Sequence, residues 1–236
     1  MNENEFISVP MDIELLDIYY VRNAIVKALK ENVSKFDGTL LDVGCGQMPY
    51  KELILSARDS KVTKYVGLDL EVSSIHKTSV ADLLWDGKIM PLNDKSVESA
   101  MATEVLEHCR EPEIILKEIH RVLKPGGVFF FTVPFLWPLH EVPYDEYRYT
   151  PFCLERLLNT AGFGKIELEA LGGWDASLAQ MIGLWVRRRP FTNRKRKYIS
   201  KIAKFIIKYL LKKDIRPEKF TESTMITGIY GVAYKV

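Results

Sequence analysis

The chain has 236 residues, 47% of them hydrophobic and 27% charged, which excludes a wholly disordered polymer and leaves ample apolar material for a core. Thirty-three Lys and Arg face thirty-one Asp and Glu, so the net charge of +2 excludes a uniformly basic or acidic protein. Three cysteines (Cys45, Cys109, Cys153) are too few and too scattered for a disulfide framework or a paired-cysteine zinc site, and a reducing cytoplasm is the expected setting. The first residues, MNENEFISVPMD, carry neither a basic start nor an apolar run, so no signal peptide is read there. The longest apolar stretch, Val128–Leu139, contains Pro134 and Pro138 and falls short of the roughly 20 residues that span a bilayer.

Along the chain, Asp12–Lys30 has helical spacing through Ile13, Leu16, Tyr20, Ala24, Val26 and Ala28–Leu29. Thr39–Val43 is a buried strand running into a glycine turn, and Pro49–Ala57 reads as the next helix. Lys64–Leu70 is a second strand, His76–Asp82 a third, and Ser99–Thr103, made of small residues, a fourth. Glu111–Leu123 is amphipathic through Ile114, Ile115, Ile119, Val122 and Leu123, and Pro125-Gly126-Gly127 stops it. Val128–Val133 is the strongest strand. Pro151–Ala161 is a helix closed by Gly162, Lys165–Leu171 a strand, and Gly228–Val236 the last one. The alternation of strand and helix predicts an α/β fold with a parallel sheet covered by helices on both faces, and ligands bound beyond the carboxyl ends of the strands.

The charge is segregated. Residues 187–219 hold fourteen Lys or Arg and only Asp214 and Glu218 as acids, leaving nineteen basic and twenty-nine acidic residues elsewhere. Lys197, Lys201, Lys204, Lys208 and Lys212 recur at helical spacing, with Ile199, Ile202, Phe205, Ile206, Tyr209 and Leu210 expected on the opposite side. This basic amphipathic helix, 195–213, has three readings: a helix covering the sheet or forming a homodimer contact, a dock for anionic lipid, or an electrostatic nucleic-acid site. Too few aromatic residues interleave with the lysines to stack bases, and no nucleic-acid partner is expected.

The most informative stretch is Leu40-Leu41-Asp42-Val43-Gly44-Cys45-Gly46-Gln47-Met48-Pro49. Glycines let the backbone turn tightly and approach a ligand, and Asp42 can accept from an ammonium or hydroxyl. Asp69 ends the second strand, where a carboxylate accepts from a ribose diol, and Asp82 lies where one could accept from an adenine amino group. The dinucleotide fingerprint G-x-G-x-x-G fails at Pro49, which also removes an amide that a pyrophosphate would need. The loop therefore suits a ligand without phosphate.

These residues resemble a known family. Asp42-Val43-Gly44-Cys45-Gly46 looks like the first motif of class I S-adenosylmethionine-dependent methyltransferases, and Val66-Gly67-Leu68-Asp69 like their ribose segment. Thr103-Glu104-Val105-Leu106-Glu107-His108 and Arg121-Val122-Leu123-Lys124-Pro125-Gly126-Gly127 resemble the type 11 branch. The resemblance covers about residues 38–171 and the last strand. It implies one methyltransferase domain over 1–236: a helical segment 1–37, a cofactor core 38–171, a helical basic insertion 172–226 and a final strand 227–236. It also implies a Rossmann-like, doubly wound, seven-stranded sheet with an antiparallel last strand. S-Adenosyl-L-methionine is the implied cofactor, with Asp42, Gly44, Cys45 and Gly46 at its methionine portion, Glu104 close by, Asp69 and Leu70 at the ribose, and Asp82 and Leu83 at the adenine.

A hydroxyl acceptor needs a base. The segment after the strongest strand, Pro134 to Thr150, concentrates a histidine, three carboxylates, an arginine and three tyrosines. The expected assignment is His140 as general base, oriented by Glu141 or Asp145, with Arg148 anchoring a polar acceptor. The bland alternative is a loop in which His140 and Arg148 bond neighbouring acids. No metal site is expected, because the H-E-x-x-H spacing fails at Tyr144. His108 is read as a capping or packing residue, with a substrate role as the alternative, His76 and His120 as surface or helix residues, Cys45 as a filler, and Trp174 and Asp175 as a wall of the acceptor pocket or as ordinary core. The acceptor is expected to be small or lipid-linked and polar, with a sugar of surface-glycan biosynthesis suggested by the same resemblance. A nicotinamide-dependent oxidoreductase and a non-catalytic binding protein on the same fold are the rival readings.

Overall fold

The computed structural model describes residues 4–71 and 80–236. The elements run α1 (Asn4–Ile7), α2 (Tyr19–Asn32), β1 (Asp37–Val43), α3 (Lys51–Leu55), β2 (Lys61–Leu70), β3 (Leu83–Trp85), β4 (Val97–Thr103), α4 (Pro112–Val122), β5 (Leu123–Pro134), α5 (Pro151–Ala161), β6 (Phe163–Leu171), α6 (Trp174–Arg188), α7 (Asn193–Lys213) and β7 (Gly228–Lys235). The seven strands form one sheet in the order β3-β2-β1-β4-β5-β7-β6, with an antiparallel end. Strands β3, β2, β1, β4 and β5 run parallel to one another. The chain winds outward from β1 to β3, then returns to β4 on the other side of β1. That reversal makes the carboxyl ends of β1 and β4 the switch point where ligands bind in such sheets.

Two compact units divide the chain. One comprises Leu29–Pro134, Pro138–Leu168 and Tyr230–Val236, and its core explains the weakness of the fourth strand in the sequence. Ala100 and Ala102 of β4 lie in register with Phe129 and Phe131 of β5, and all four are fully buried. Small side chains on one strand make room for rings on the next. Phe129 stacks on Phe131 at 5.3 Å and on Phe163 at 5.6 Å. Helix α5 follows its sequence signals closely: the Thr150 hydroxyl accepts from Cys153 N, Pro151 opens the first turn, and Gly162 closes it with φ +101°. Helix α4 passes directly into β5, and its end is held by Lys235, whose Nζ donates to the carbonyls of His120 (2.6 Å) and Leu123 (2.8 Å).

The other unit comprises residues up to Ala28, Phe135–Trp137 and Glu169–Ile229. Helices α6 and α7 pack with Leu16, burying Ala179, Val186, Ala203, Ile207 and Leu210. A Cβ on Gly183 would lie 2.3 Å from the Leu16 carbonyl, so glycine is what permits this approach. The Asp214 carboxylate accepts from Ala176 N at 2.8 Å and sits on the first turn of α6, where a negative charge is favourable.

Several expectations are corrected. The first long helix starts at Tyr19, because Asp12 and Leu15 form a turn instead (Leu15 N to Asp12 O, 3.1 Å). The helix after the glycine loop is only Lys51–Leu55. The third strand is Leu83–Trp85; most of the expected His76–Asp82, including His76, lies outside the described residues. Helix α6 was not resolved within the insertion by sequence. On α7 the apolar residues do not share one side: Ala203, Ile207 and Leu210 are buried, whereas Ile202, Phe205, Ile206 and Tyr209 are exposed.

Candidate active site

The site lies in the unit that carries β1 to β5. The turn after β1 holds three residues in the left-handed region: Gly44 (φ +70°), Gly46 (φ +51°) and Met48 (φ +51°). Gly44 N and Cys45 N both donate to the Leu68 carbonyl, at 2.8 and 3.1 Å, which binds the turn to β2. A Cβ on Gly44 would lie 2.6 Å from Val105 Cγ2. A Cβ on Gly67 would meet Cys45 Sγ and Met48 Sδ, each at 2.8 Å. Cys45 is thus a buried packing residue, and burial pushes its thiol up, away from nucleophilic use. Gly44→Ala combines a left-handed backbone with a steric clash and is expected to destabilise the fold by about 2–4 kcal/mol, read from the urea unfolding midpoint.

The carboxylates differ in what they hold. Asp42 is buried and accepts from Tyr65 Oη at 2.6 Å. Burial pushes its carboxyl up to about 7, against the opposing effect of the tyrosine bond. Asp69 is buried too; its Oδ1 accepts from Leu70 N at 2.8 Å, while its Oδ2 is buried with no hydrogen-bond partner among the described residues. Asp82 Oδ2 accepts from Gly67 N at 2.8 Å, so one oxygen of this exposed residue fastens the backbone of β2. Leu70 is exposed and Leu83 half-buried beside them. Glu104 follows β4 with φ +54°, and its Oε1 accepts from the Thr132 hydroxyl at 2.9 Å.

A second cluster forms where the 138–150 segment folds onto the 3-10 turn Leu106–His108. Glu146 N and Tyr147 N donate to the Glu107 carbonyl, and Tyr149 Oη donates to the Leu106 carbonyl at 2.9 Å. The His140 and His108 rings meet edge to face with centroids 4.7 Å apart. Asp145 is the orienting group: its Oδ2 lies 3.3 Å from His140 Nδ1 and accepts from His140 N at 3.1 Å. Arg148 grips the same carboxylate with two bonds of 2.6 and 2.8 Å and also donates to the carbonyls of Tyr147 and Pro138. Burial opposes charge on Asp145, but the Arg148 bonds outweigh it and hold the carboxyl at about 2. Burial lowers His140 below its usual 6.5, with Asp145 offsetting part of the effect, so the imidazole is neutral at pH 7.

Of the residues expected to act together, His140, Asp145 and Arg148 are brought into one network. Glu141 (φ +50°) turns instead toward His108, with Oε2 3.4 Å from its Nε2. Arg148 stands as a brace on Asp145. His108 is drawn into the cluster, and Glu107 beside it is fully buried. The sequence reading passed over Glu107, although its adjacency to a histidine directly after a strand was the available signal. Trp174 and Asp175 begin α6, in the other unit; Trp174 is exposed and donates from Nε1 to the Ser223 carbonyl at 2.9 Å. His120 lies on α4 against Phe163.

A parallel sheet with a left-handed glycine turn at its switch point and an orphaned carboxylate oxygen on the adjacent strand is an α/β arrangement suited to a nucleoside ligand. Residues 41–131 match the type 11 family model described as a methyltransferase domain, a branch of the class I S-adenosylmethionine-dependent methyltransferases. A probable S-adenosylmethionine-dependent methyltransferase of Mycolicibacterium smegmatis is 28% identical over 140 residues, 52% of this chain and 51% of that one. A fatty-acid O-methyltransferase of the same organism is 27% identical over 146 residues, covering 59% and 50%. The chain thus spans about half the length of these curated relatives. The crystal structure of an S-adenosylmethionine-dependent methyltransferase from Archaeoglobus fulgidus matches with a TM-score of 0.54 at 16% identity, covering 99% of this chain and 97% of that one, and so shares the fold. S-Adenosylmethionine is the cofactor of this family. The residues present fit it: among the described residues Asp69 Oδ2 has an unmet bond for a ribose hydroxyl, and Gly44 and Gly46 hold the left-handed backbone of the turn beside it.

Proposed function

We propose that the chain methylates a hydroxyl of a polar acceptor, with a sugar, free or lipid-linked as in surface-glycan assembly, as the favoured substrate class. The observation that carries this reading is the His140 imidazole held by the Asp145–Arg148 fork. When bound, the cofactor supplies a methyl group already activated on a sulfonium, so the protein's tasks are alignment and removal of one proton. Asp69 and the glycine turn fix the cofactor end. His140 receives the acceptor's proton on the ring nitrogen not turned to Asp145, and Asp145, ionised at any pH above about 2, stabilises the imidazolium that results. A panel of nucleotide sugars and lipid-linked sugars incubated with methyl-labelled cofactor tests the reading. Label in a hydroxyl ether supports it; label only in amines or in carboxyl esters refutes it.

A lipid-linked acceptor is favoured by the helices of the other unit. Tyr198, Ile202, Phe205 and Tyr209 form one exposed stripe on α7, with Phe205 76% exposed, beside the lysines at 201, 204, 208 and 212. Trp174, Leu178, Met181 and Trp185 form a second exposed stripe on α6. Among the described residues no helix is long and apolar enough to cross a membrane. Aromatic and aliphatic residues bordered by lysines are the composition of a helix lying in a membrane interface, where each Lys contributes about 1 kcal/mol on anionic lipid. The protein is expected to pellet with vesicles containing about one third phosphatidylserine, and Ile202→Glu with Phe205→Glu to remain in the supernatant. Equal pelleting of both, or a dimer that buries these residues without lipid, would remove the membrane from the account.

A further inference from the structure

We propose that Glu107, His108 and His140 form a binding site for one divalent transition-series cation. Each residue offers one ligand atom, and the three atoms lie within 4.8 Å of one another. The inference begins at Glu107. Its side chain is fully buried, yet among the described residues neither carboxylate oxygen has a hydrogen-bond partner. A buried carboxylate without partners is costly unless it is protonated or held by a cation. The nearest groups of the cluster are imidazoles: His108 Nε2 lies 3.7 Å from Glu107 Oε1 and 3.4 Å from Glu141 Oε2. Hydrogen-bonding distance to a shared proton is not reached at 3.7 Å, whereas ligands of one metal ion normally stand about 3–3.5 Å apart and small side-chain movements close the difference.

The surroundings set the tautomers that a metal requires. His108 Nδ1 lies 3.0 Å from the Tyr144 carbonyl, which can only accept, so Nδ1 carries the proton and Nε2 the lone pair. His140 Nδ1 faces the Asp145 carboxylate at 3.3 Å, closer than the Arg148 Nη2 at 3.5 Å, which favours the proton there and leaves its other nitrogen as the donor atom. A histidine whose far nitrogen donates to a carbonyl or carboxylate is the arrangement that orients metal-bound imidazoles. Asp145 is itself fixed by Arg148, so the support extends a further layer. Glu141, held with φ +50° and aimed at His108, provides a second carboxylate at the rim. Two imidazoles with one or two carboxylates suit Mn2+, Fe2+ or Zn2+ rather than Ca2+ or Mg2+, which prefer all-oxygen shells. The motif-based expectation of no metal missed this because its donors come from two separate segments that only the fold joins.

The site stands on its own geometry and does not rest on the methyl-transfer reading. The two meet at His140, whose single lone pair can take a proton or a cation but not both. Mn2+ is the suitable probe, since it is less drawn than Zn2+ to the three thiols. In a titration of the full chain with MnCl2, without cofactor or acceptor, the free-ion EPR signal is expected to show one bound ion per chain with a Kd of about 100 µM or tighter. Glu107→Gln and His108→Asn are each expected to weaken binding at least about tenfold, and Asp145→Asn by about tenfold through loss of imidazole orientation. Circular dichroism confirms folding of each variant. An undiminished free-ion signal at about 1 mM Mn2+, or unchanged affinity in both Glu107→Gln and His108→Asn, would overturn the proposal. A failed titration leaves the methyl-transfer reading intact, a bound ion would compete with the proton for His140, and an inactive transferase would leave a measured ion site intact.

Discussion

Replacing His140 with alanine is expected to slow methyl transfer about 10²-fold while leaving S-adenosylhomocysteine affinity essentially unchanged. The size follows from removing the proton acceptor of a hydroxyl that is too weak an acid to react unaided. The selectivity follows from position: His140 bonds to Asp145 and Arg148, whereas the cofactor residues sit on the β1 and β2 ends. The pH profile gives the sign. Burial lowers the His140 pKa below 6.5, so the base is present at neutral pH and is lost only as acid protonates it; the acidic limb of the wild-type rate should fall below pH 6.5. An unchanged rate in His140→Ala, or an acidic limb well above that pH, would remove His140 from this role.

Asp69→Ala is expected to weaken S-adenosylhomocysteine binding by about 10- to 150-fold in isothermal titration. Hydrogen bonds to an ionised acceptor contribute about 1.5–3 kcal/mol each, and Oδ2 of Asp69 is buried with no partner of its own. Oδ1 supports the loop through Leu70 N, and Asp69→Asn keeps that bond while losing the charge, so its effect should be intermediate. A comparison with Asp82 is informative, because an Asp82 oxygen is engaged by Gly67 N and its loss should act through the shape of β2 as much as through the ligand.

The sheet and its glycine turn were legible because their determinants are local. An apolar run ending in Gly-Cys-Gly needs left-handed backbone whatever packs around it, and Thr150, Pro151 and Gly162 mark both ends of α5 by capping chemistry alone. Ser99–Thr103 looked weak because its small side chains answer Phe129 and Phe131 on the neighbouring strand, a fact that no single-strand pattern contains. Helix α6 was hidden for a related reason: Gly183 and an exposed apolar stripe blur its amphipathic pattern, and both make sense only beside Leu16 and α7. Within the site, the concentration of polar residues in the His140 segment was readable from composition, but their pairing was not. Which acid orients His140 depends on the fold of the 138–150 loop over the Leu106–His108 turn, and the involvement of His108 and Glu107 arises only from that juxtaposition.

The unpartnered Asp69 oxygen and the left-handed turn at Gly44 and Gly46 carry the whole functional account, since without an adenosyl cofactor seated there His140 has no methyl group to serve. A crystal structure with S-adenosylhomocysteine tests this directly. The account predicts the ribose hydroxyls on Asp69 Oδ2 and the amino-acid portion over Gly44–Gly46; a ligand bound elsewhere, or bound with Asp69 turned from it, would contradict it.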